Sequence, residues 1–370
     1  MSARIITAFS SRLTIDTGAI RANYRSLARH VAPAECGAVI KADAYGLGAR
    51  AVAPALHAEG CRTFFVAQLR EAFDVADTLG ADAAIVILNG LDPGCEAACA
   101  EAGFLPVLNA PGQVERWRRL ARAKGTALPA VLQVDSGMSR LGLDAAAAAA
   151  LAADPAFPRE VALRFIMTHL ACADTPGHAA NAAQLASFRS IRALFPEARA
   201  SIANSGGAFL SPAYHCDLVR PGIALFGVQP GPDGPAMRPV VRLEARILQI
   251  REVEAGSGVG YGLDHVAPTR QRLATLGIGY ADGWPRSLGG AGAAWHAGAR
   301  LPIVGRVSMD SLTVDLSALA PDALSEGDFV ALLGPCQSLA DVARDAGTIP
   351  YEILTRLGSR SERTFVETVQ

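Results

Sequence analysis

The chain has 370 residues, 51% of them hydrophobic and 19% charged, with a formal net charge of -1. That length predicts two domains, and a near-neutral balance without any Lys/Arg block excludes a nucleic-acid surface. Seven cysteines, odd in number and scattered, exclude a disulfide framework and point to a reducing compartment.

The opening "MSARIITAFSSRLTIDTG" lacks the apolar core of a signal peptide. No stretch approaches the ~20 apolar residues that span a bilayer, so the cytoplasm is the expected address. Eight short apolar runs follow: "GAVIK" (37–41), "TFFVA" (63–67), "AAIVILNG" (83–90), "FLPVLN" (104–109), "AVLQVD" (130–135), "LRFIMTH" (163–169), "ARASIANSG" (198–206) and "GIALFG" (222–227). Amphipathic, alanine-rich stretches separate most of them. "NAPGQVERWRRLARAKG" reads as a helix with Asn109 as cap and Gly125 as stop, and "AANAAQLASFRSIRALFPEA" reads as another. Repeated strand–helix units mean parallel strands joined by crossovers, and eight of them predict a closed (β/α)8 barrel. An open dinucleotide-binding sheet fits less well, because "YGLGAR" holds only two glycines of that fingerprint. Cys95 and Cys99 share a helix face, but no second pair stands at zinc spacing, and they read as buried thiols with no metal.

The pattern breaks at "GVQPGPDGPAMRP" (227–239), a Gly/Pro-rich linker. Beyond it, "VRLEARILQIREV" alternates Val241, Leu243, Ala245 and Ile247 with charged Arg242, Glu244 and Arg246, the mark of a half-buried strand. We therefore expect a barrel over 1–236, whose first ~15 residues pair with the second domain, and a mostly β domain over 237–370. One helix is expected near "SLADVARDAG".

Lys41 ends the first apolar run. A lysine there points into a barrel's mouth, where burial lowers its pKa and makes the amine a base or a Schiff-base nucleophile. Alone, it reads first as a snorkelling strand-end side chain. "ANSGG" offers Asn204 and Ser205 after the seventh run, and "VRPGIALFG" offers the Gly222 and Ile223 amides. Barrels collect phosphate groups at that position. Tyr45, Tyr261 and Tyr280 each stand in Gly-rich or polar settings, which suit a site better than a core.

The blocks "AVIKADAYGLG", "DSGMSRLG", "MTHLACAD", "NSGG", "VRPGIALFG", "GVGYG", "GIGYADGWPR", "GRVSMD" and "TIPYEILTRLGSR" together resemble the alanine racemases, pyridoxal-phosphate enzymes of bacterial cell-wall supply. The resemblance runs from "LTIDTGAIRANYRSL" to "TRLGSR". It implies a (β/α)8 barrel, a β-rich C-terminal domain, and a head-to-tail homodimer that shares its active sites between subunits. By position, Lys41 matches the lysine that holds pyridoxal 5'-phosphate and acts as one base. Tyr261 matches the opposite base, supplied by the partner subunit. Arg220 matches the arginine at the pyridine nitrogen, and His169 the histidine beside it. Tyr45, Asn204, Ser205, Gly222, Ile223 and Tyr351 fall among the cofactor contacts. Arg140 and Met309 correspond to the substrate carboxylate site, and Asp174, Tyr280, Arg306 and Tyr351 to the access corridor. No nucleic acid, membrane or metal is implied.

One position departs from the family. Many members carry a carbamylated lysine seven residues before the substrate arginine, where this chain has Gln133. A neutral amide cannot supply that negative charge, so an anion such as chloride or a different hydrogen-bond arrangement is expected to hold Arg140. The resemblance implies interconversion of L- and D-alanine for peptidoglycan. A serine-preferring or broad racemase is the alternative, and a non-catalytic pyridoxal-phosphate carrier is the reading from another class. A decarboxylase of the same barrel class would bring a cysteine–aspartate motif that this sequence lacks.

Overall fold

The computed structural model describes residues 9–231 and 234–368. It divides into two units, Ile20–Arg238 in one, residues 9–19 with 239–368 in the other.

In the first unit, seven parallel strands lie side by side in chain order: Ala38–Val39, Thr63–Val66, Ala84–Ile87, Leu105–Leu108, Leu128–Gln133, Val161–Met167 and Arg199–Ser201. Thr63–Val66 and Leu105–Leu108 are buried at every residue, as strands covered on both faces must be. An eighth strand, Leu218–Val219, closes the ring. It pairs in parallel with Glu35–Cys36, the extended stretch leading into the first strand. On its other side, Asp217 N–H donates to Ala200 O at 3.0 Å and Arg220 N–H to Ala203 O at 2.9 Å. The unit is a (β/α)8 barrel.

The eighth apolar run is not that strand. Residues Ile223–Phe226 wind into a short 3-10 turn, all four buried. Their apolar character comes from packing, and the true strand is too short to show a pattern. The helix predicted after residue 109 spans Pro111–Lys124 and is capped by Ala110 rather than Asn109. Asn109 instead turns its amide N–H groups to Leu88 O (2.9 Å) and Val107 O (3.2 Å). Gly125 ends the helix at φ 66°. Val114, Trp117 and Ala121 line its buried face, and enclosing a side chain as large as Trp117 contributes about 2 kcal/mol or more.

In the second unit, Val241, Leu243, Ala245 and Ile247 are buried while Arg242 is exposed, so the alternation holds. The long strand Val241–Val253 pairs with Gln271–Leu276 and with Phe329–Leu333. Leu312–Asp315, Ala299–Val304 and Ala293–His296 complete a ring of six strands. Ser11–Asp16 adds to its edge, antiparallel to Val241–Val253 and parallel to Glu362–Val366. The expected pairing of the first ~15 residues with this unit falls partly on residues 1–8, outside the described residues, as are 232 and 233 of the linker. The expected helix spans Leu339–Ala346, with Ser338 Oγ accepting the Asp341 N–H at 3.2 Å. A second helix, Pro350–Arg356, was not foreseen.

Candidate active site

The first barrel strand hands the chain to Lys41 through Ile40, whose N–H still donates to Phe65 O at 2.8 Å. From there Ala42, Asp43, Ala44 and Tyr45 all adopt left-handed backbone angles, with φ between 53° and 57°. Each Cβ then crowds the following carbonyl, and four such residues cost about 4–8 kcal/mol. A dense set of bonds holds the turn. Ala44 N–H donates to Ile40 O (2.8 Å) and Gly48 N–H to Asp43 O (2.9 Å). Ala49 N–H donates to Asp43 Oδ1 (2.7 Å) and Ala42 N–H to Glu71 Oε1 (2.8 Å). Such strain persists only where the surroundings over-determine the backbone, as these bonds do here.

Lys41 is half-buried. Burial holds its ammonium below the usual lysine pKa, the Arg140 charge adds to this, and Glu71 opposes it. Arg220, 3% exposed, donates to Thr168 O at 2.6 Å and to Ser201 Oγ. Desolvation brings its pKa down to about 10, with Cys216 working the other way, so it stays cationic at neutral pH. His169 is pushed down to about 3, by desolvation first and then by the charges of Arg220, Arg140 and Lys41. It is therefore neutral, and since arginine only donates, His169 Nδ1 accepts a weak bond from Arg220 at 3.5 Å.

Beyond strands seven and eight, small groups form a cradle. Gly222 and Ala224 N–H both donate to Ser205 Oγ, at 2.9 and 3.3 Å. Asn204 Oδ1 accepts the Gly207 N–H at 2.9 Å. A Cβ on Gly222 would stand 2.2 Å from Tyr45 Oη, so only glycine fits. Tyr45 packs on Phe226 with ring centroids 4.9 Å apart. Amides, a hydroxyl and a phenol, none of them anionic, are the donor chemistry of a phosphate site.

Arg140 is exposed and follows a loop organised by Asp135, whose carboxylate accepts the Gly137, Met138 and Ser139 N–H groups at 2.8, 2.9 and 3.2 Å. Burial raises the Asp135 pKa, but those three donors outweigh it and hold the carboxyl below the usual range. Gln133 is buried and donates to Leu141 O at 3.2 Å. Among the described residues no carboxylate pairs with Arg140. Asp174 is exposed in the loop after strand six.

The remaining candidates belong to the second unit. Tyr261 is 71% exposed, between Gly260 (φ 74°) and Gly262 (φ 76°), angles that suit glycine. Arg306 pairs with Asp264 just beyond it. Tyr280 N–H donates to Ser308 O and Ala281 N–H to Met309 O, both at 3.0 Å, so Tyr280 and Met309 sit on loops tied together. Tyr351 lies on the helix Pro350–Arg356. No cluster of three metal-binding side chains occurs among the described residues, and all seven cysteines are free.

Two polar residues at the barrel rim were missed. Glu71 looks in sequence like an ordinary acid in a first helical turn. Gln184, 2% exposed on the helix Ala179–Arg192, donates to His169 O at 2.9 Å and accepts the Ala171 N–H at 2.9 Å. One glutamine among alanines gives no signal.

Fold and rim together define the class, a two-domain (β/α)8-barrel enzyme. The alanine racemase N-terminal domain profile matches residues 15–230, and the C-terminal domain profile matches residues 240–365. A catabolic alanine racemase of Agrobacterium fabrum is 50% identical over 359 residues, covering 97% of this chain and 92% of that protein. An alanine racemase of Brucella canis is 50% identical over 368 residues, covering 96% and 93%. The crystal structure of the Bartonella henselae alanine racemase, with covalently bound pyridoxal phosphate, matches at TM-score 0.94 and 46% identity, over 97% of this chain and 100% of that one. The chain belongs to the alanine racemase family.

Proposed function

We propose that this chain is a pyridoxal-phosphate-dependent racemase that interconverts L- and D-alanine with two bases. The observation that carries the reading is Lys41, desolvated at the end of the first strand and fixed on a strained turn. The rim fits the cofactor. Lys41 would hold it covalently, the cradle of Tyr45, Asn204, Ser205, Gly222 and Ile223 with Tyr351 would take its phosphate, and Arg220 with His169 would face its ring. When bound, pyridoxal phosphate supplies a carbonyl that condenses with amines and a conjugated ring that takes up the electron pair left by the α-proton.

The protein's own groups do the rest. The lowered pKa of Lys41 leaves more neutral amine at Nζ, able to take or return a proton on one face. Tyr261 Oη of the partner subunit serves the other face. Arg220 keeps its protons and would offer the cofactor's ring nitrogen a hydrogen bond rather than a proton, which would restrain side reactions such as transamination. Arg140 binds the substrate carboxylate with the Met309 backbone. Gln133 is engaged with Leu141 O, and among the described residues no carboxylate pairs with Arg140, which supports an anion such as chloride beside the guanidinium. Activity that rises with halide in halide-free buffer tests this, and halide independence refutes it.

By position in the family, Asp174, Tyr280, Arg306 and Tyr351 would line the access corridor, which in that family suits a methyl side chain. The two units act as cofactor-binding and β domains of a homodimer in the cytoplasm; among the described residues no helix is long and apolar enough to cross a membrane. Enantiomers have equal free energy, so the reaction runs both ways, and we assign it to D-alanine supply for peptidoglycan. Growth of a D-alanine-requiring strain on the cloned gene tests that role. Circular dichroism of L-alanine with enzyme, repeated with L-serine, tests activity and specificity. Loss of the alanine signal with serine unchanged supports the reading, and equal rates favour a broad racemase. Cofactor uptake without racemisation of either leaves a carrier.

A further inference from the structure

We propose that Glu71 is a positioning residue for Lys41, one carboxylate oxygen clamping the strained turn while the other caps the following helix. This rests on Lys41 carrying the chemistry proposed above.

The two oxygens divide their work. Oε2 accepts the Ala67 N–H at 2.6 Å and the Gln68 N–H at 3.1 Å, at the head of the helix Leu69–Ala76. Capping that helix needs no more. Oε1 reaches back across the barrel rim to the Ala42 N–H at 2.8 Å. Ala42 is the residue after Lys41 and the first of the four left-handed residues. Both carboxylate oxygens therefore act as acceptors, one at each end. The end of strand two and the turn after strand one are thus tied through a single side chain, and the lysine sits between Ile40, held by Phe65 O, and the clamped amide.

Glu71 has a second effect through charge. The charged groups bearing on Lys41 are Glu71 and Arg140, which act in opposite directions, while His169, neutral, completes the surroundings. Removing the Glu71 charge leaves Arg140 unopposed and lowers the pKa of the lysine nitrogen.

Glu71→Gln separates the roles. Its carbonyl oxygen stays with the two helix amides, while the NH2 turned towards Ala42 cannot accept. Glu71→Asp keeps the charge but shortens the reach. In full-length protein, hydrogen exchange of the 41–48 segment in E71Q is expected to quicken by about tenfold or more. In the cofactor-loaded enzyme, kcat falls about tenfold with KM within about twofold, since a misplaced reactive group costs turnover more than binding. The pH midpoint of the visible cofactor band moves down in E71Q and stays near wild type in E71D, although E71D also loses kcat and exchange protection. A purely structural cap would not move that midpoint. Wild-type exchange, kcat and midpoint in E71Q overturn the proposal. If E71Q does not fold, wild-type exchange and kcat in E71D overturn it instead. A wild-type protein that takes up no cofactor refutes the reading of Lys41, whereas the exchange experiment still decides the clamp.

Discussion

The two units present their candidate residues in opposite ways. In the barrel, Arg220 is buried, Lys41 half-buried, and Lys41, His169 and Arg220 all have pKa values shifted mainly by desolvation. In the β unit, Tyr261 is 71% exposed, Met309 53% and Tyr280 44%. The barrel brings these three shifted groups to one rim within one chain. The β unit displays Tyr261, Tyr280 and Met309 at its surface, as the proposed cover by a second copy would require.

The sharpest way to break this contrast is at its most perturbed end. Lys41→Ala is expected to lower racemisation of L-alanine by at least about a thousandfold, because the proposed covalent anchor and base are both lost. Circular dichroism measures it, and the visible cofactor band disappears in parallel. An active Lys41→Ala protein would mean the barrel's desolvated amine is incidental.

Arg220→Gln probes whether the buried cation serves stability or function. Arg220 forms no ion pair among the described residues, so its desolvation works against the fold while its bonds to Thr168 O and Ser201 Oγ support it. These offset, and the unfolding free energy is expected to change by about 1 kcal/mol or less in urea titration. Racemisation falls about tenfold or more and side reactions rise. A large loss of stability with unchanged turnover would make the arginine structural.

The effect with no expected change in turnover is on the pH dependence of stability. His169 has a folded pKa of about 3, below its unfolded value of ~6.5, so between those values the unfolded chain binds the extra proton. Stability is then full above the unfolded value and is lost as pH falls towards 3, by up to about 1.4 kcal/mol per pH unit. His169→Gln is expected to flatten that slope in thermal melts from pH 7 to pH 4. An unchanged slope would place the acid sensitivity in other groups.

The barrel was legible because its strands are continuous apolar runs. Ala130, Val131 and Leu132 are all fully buried, and such runs between amphipathic helices have few other solutions. The last strand was misplaced because "GIALFG" is apolar for tertiary reasons, while Leu218–Val219 is two residues long. Asn109 has the chemistry of a helix cap, yet two neighbouring carbonyls take its amide. Within the candidate site, Lys41 and the "NSGG" block stood out by residue type. Glu71 did not, because a first-turn glutamate is ordinary and its second oxygen's reach to Ala42 is a fact of three dimensions. The left-handed turn was equally invisible, since alanine, aspartate and tyrosine carry no preference for positive φ strong enough to announce it.

The central claim is tested most directly by mixing two dead proteins. Lys41→Ala and Tyr261→Phe are each expected to be inactive alone. In the proposed homodimer, co-expression makes half of the dimers mixed, each with one intact site of two, so about a quarter of wild-type activity is expected to return. Mixed dimers that form but stay inactive would contradict a site shared between the barrel of one subunit and the β domain of the other.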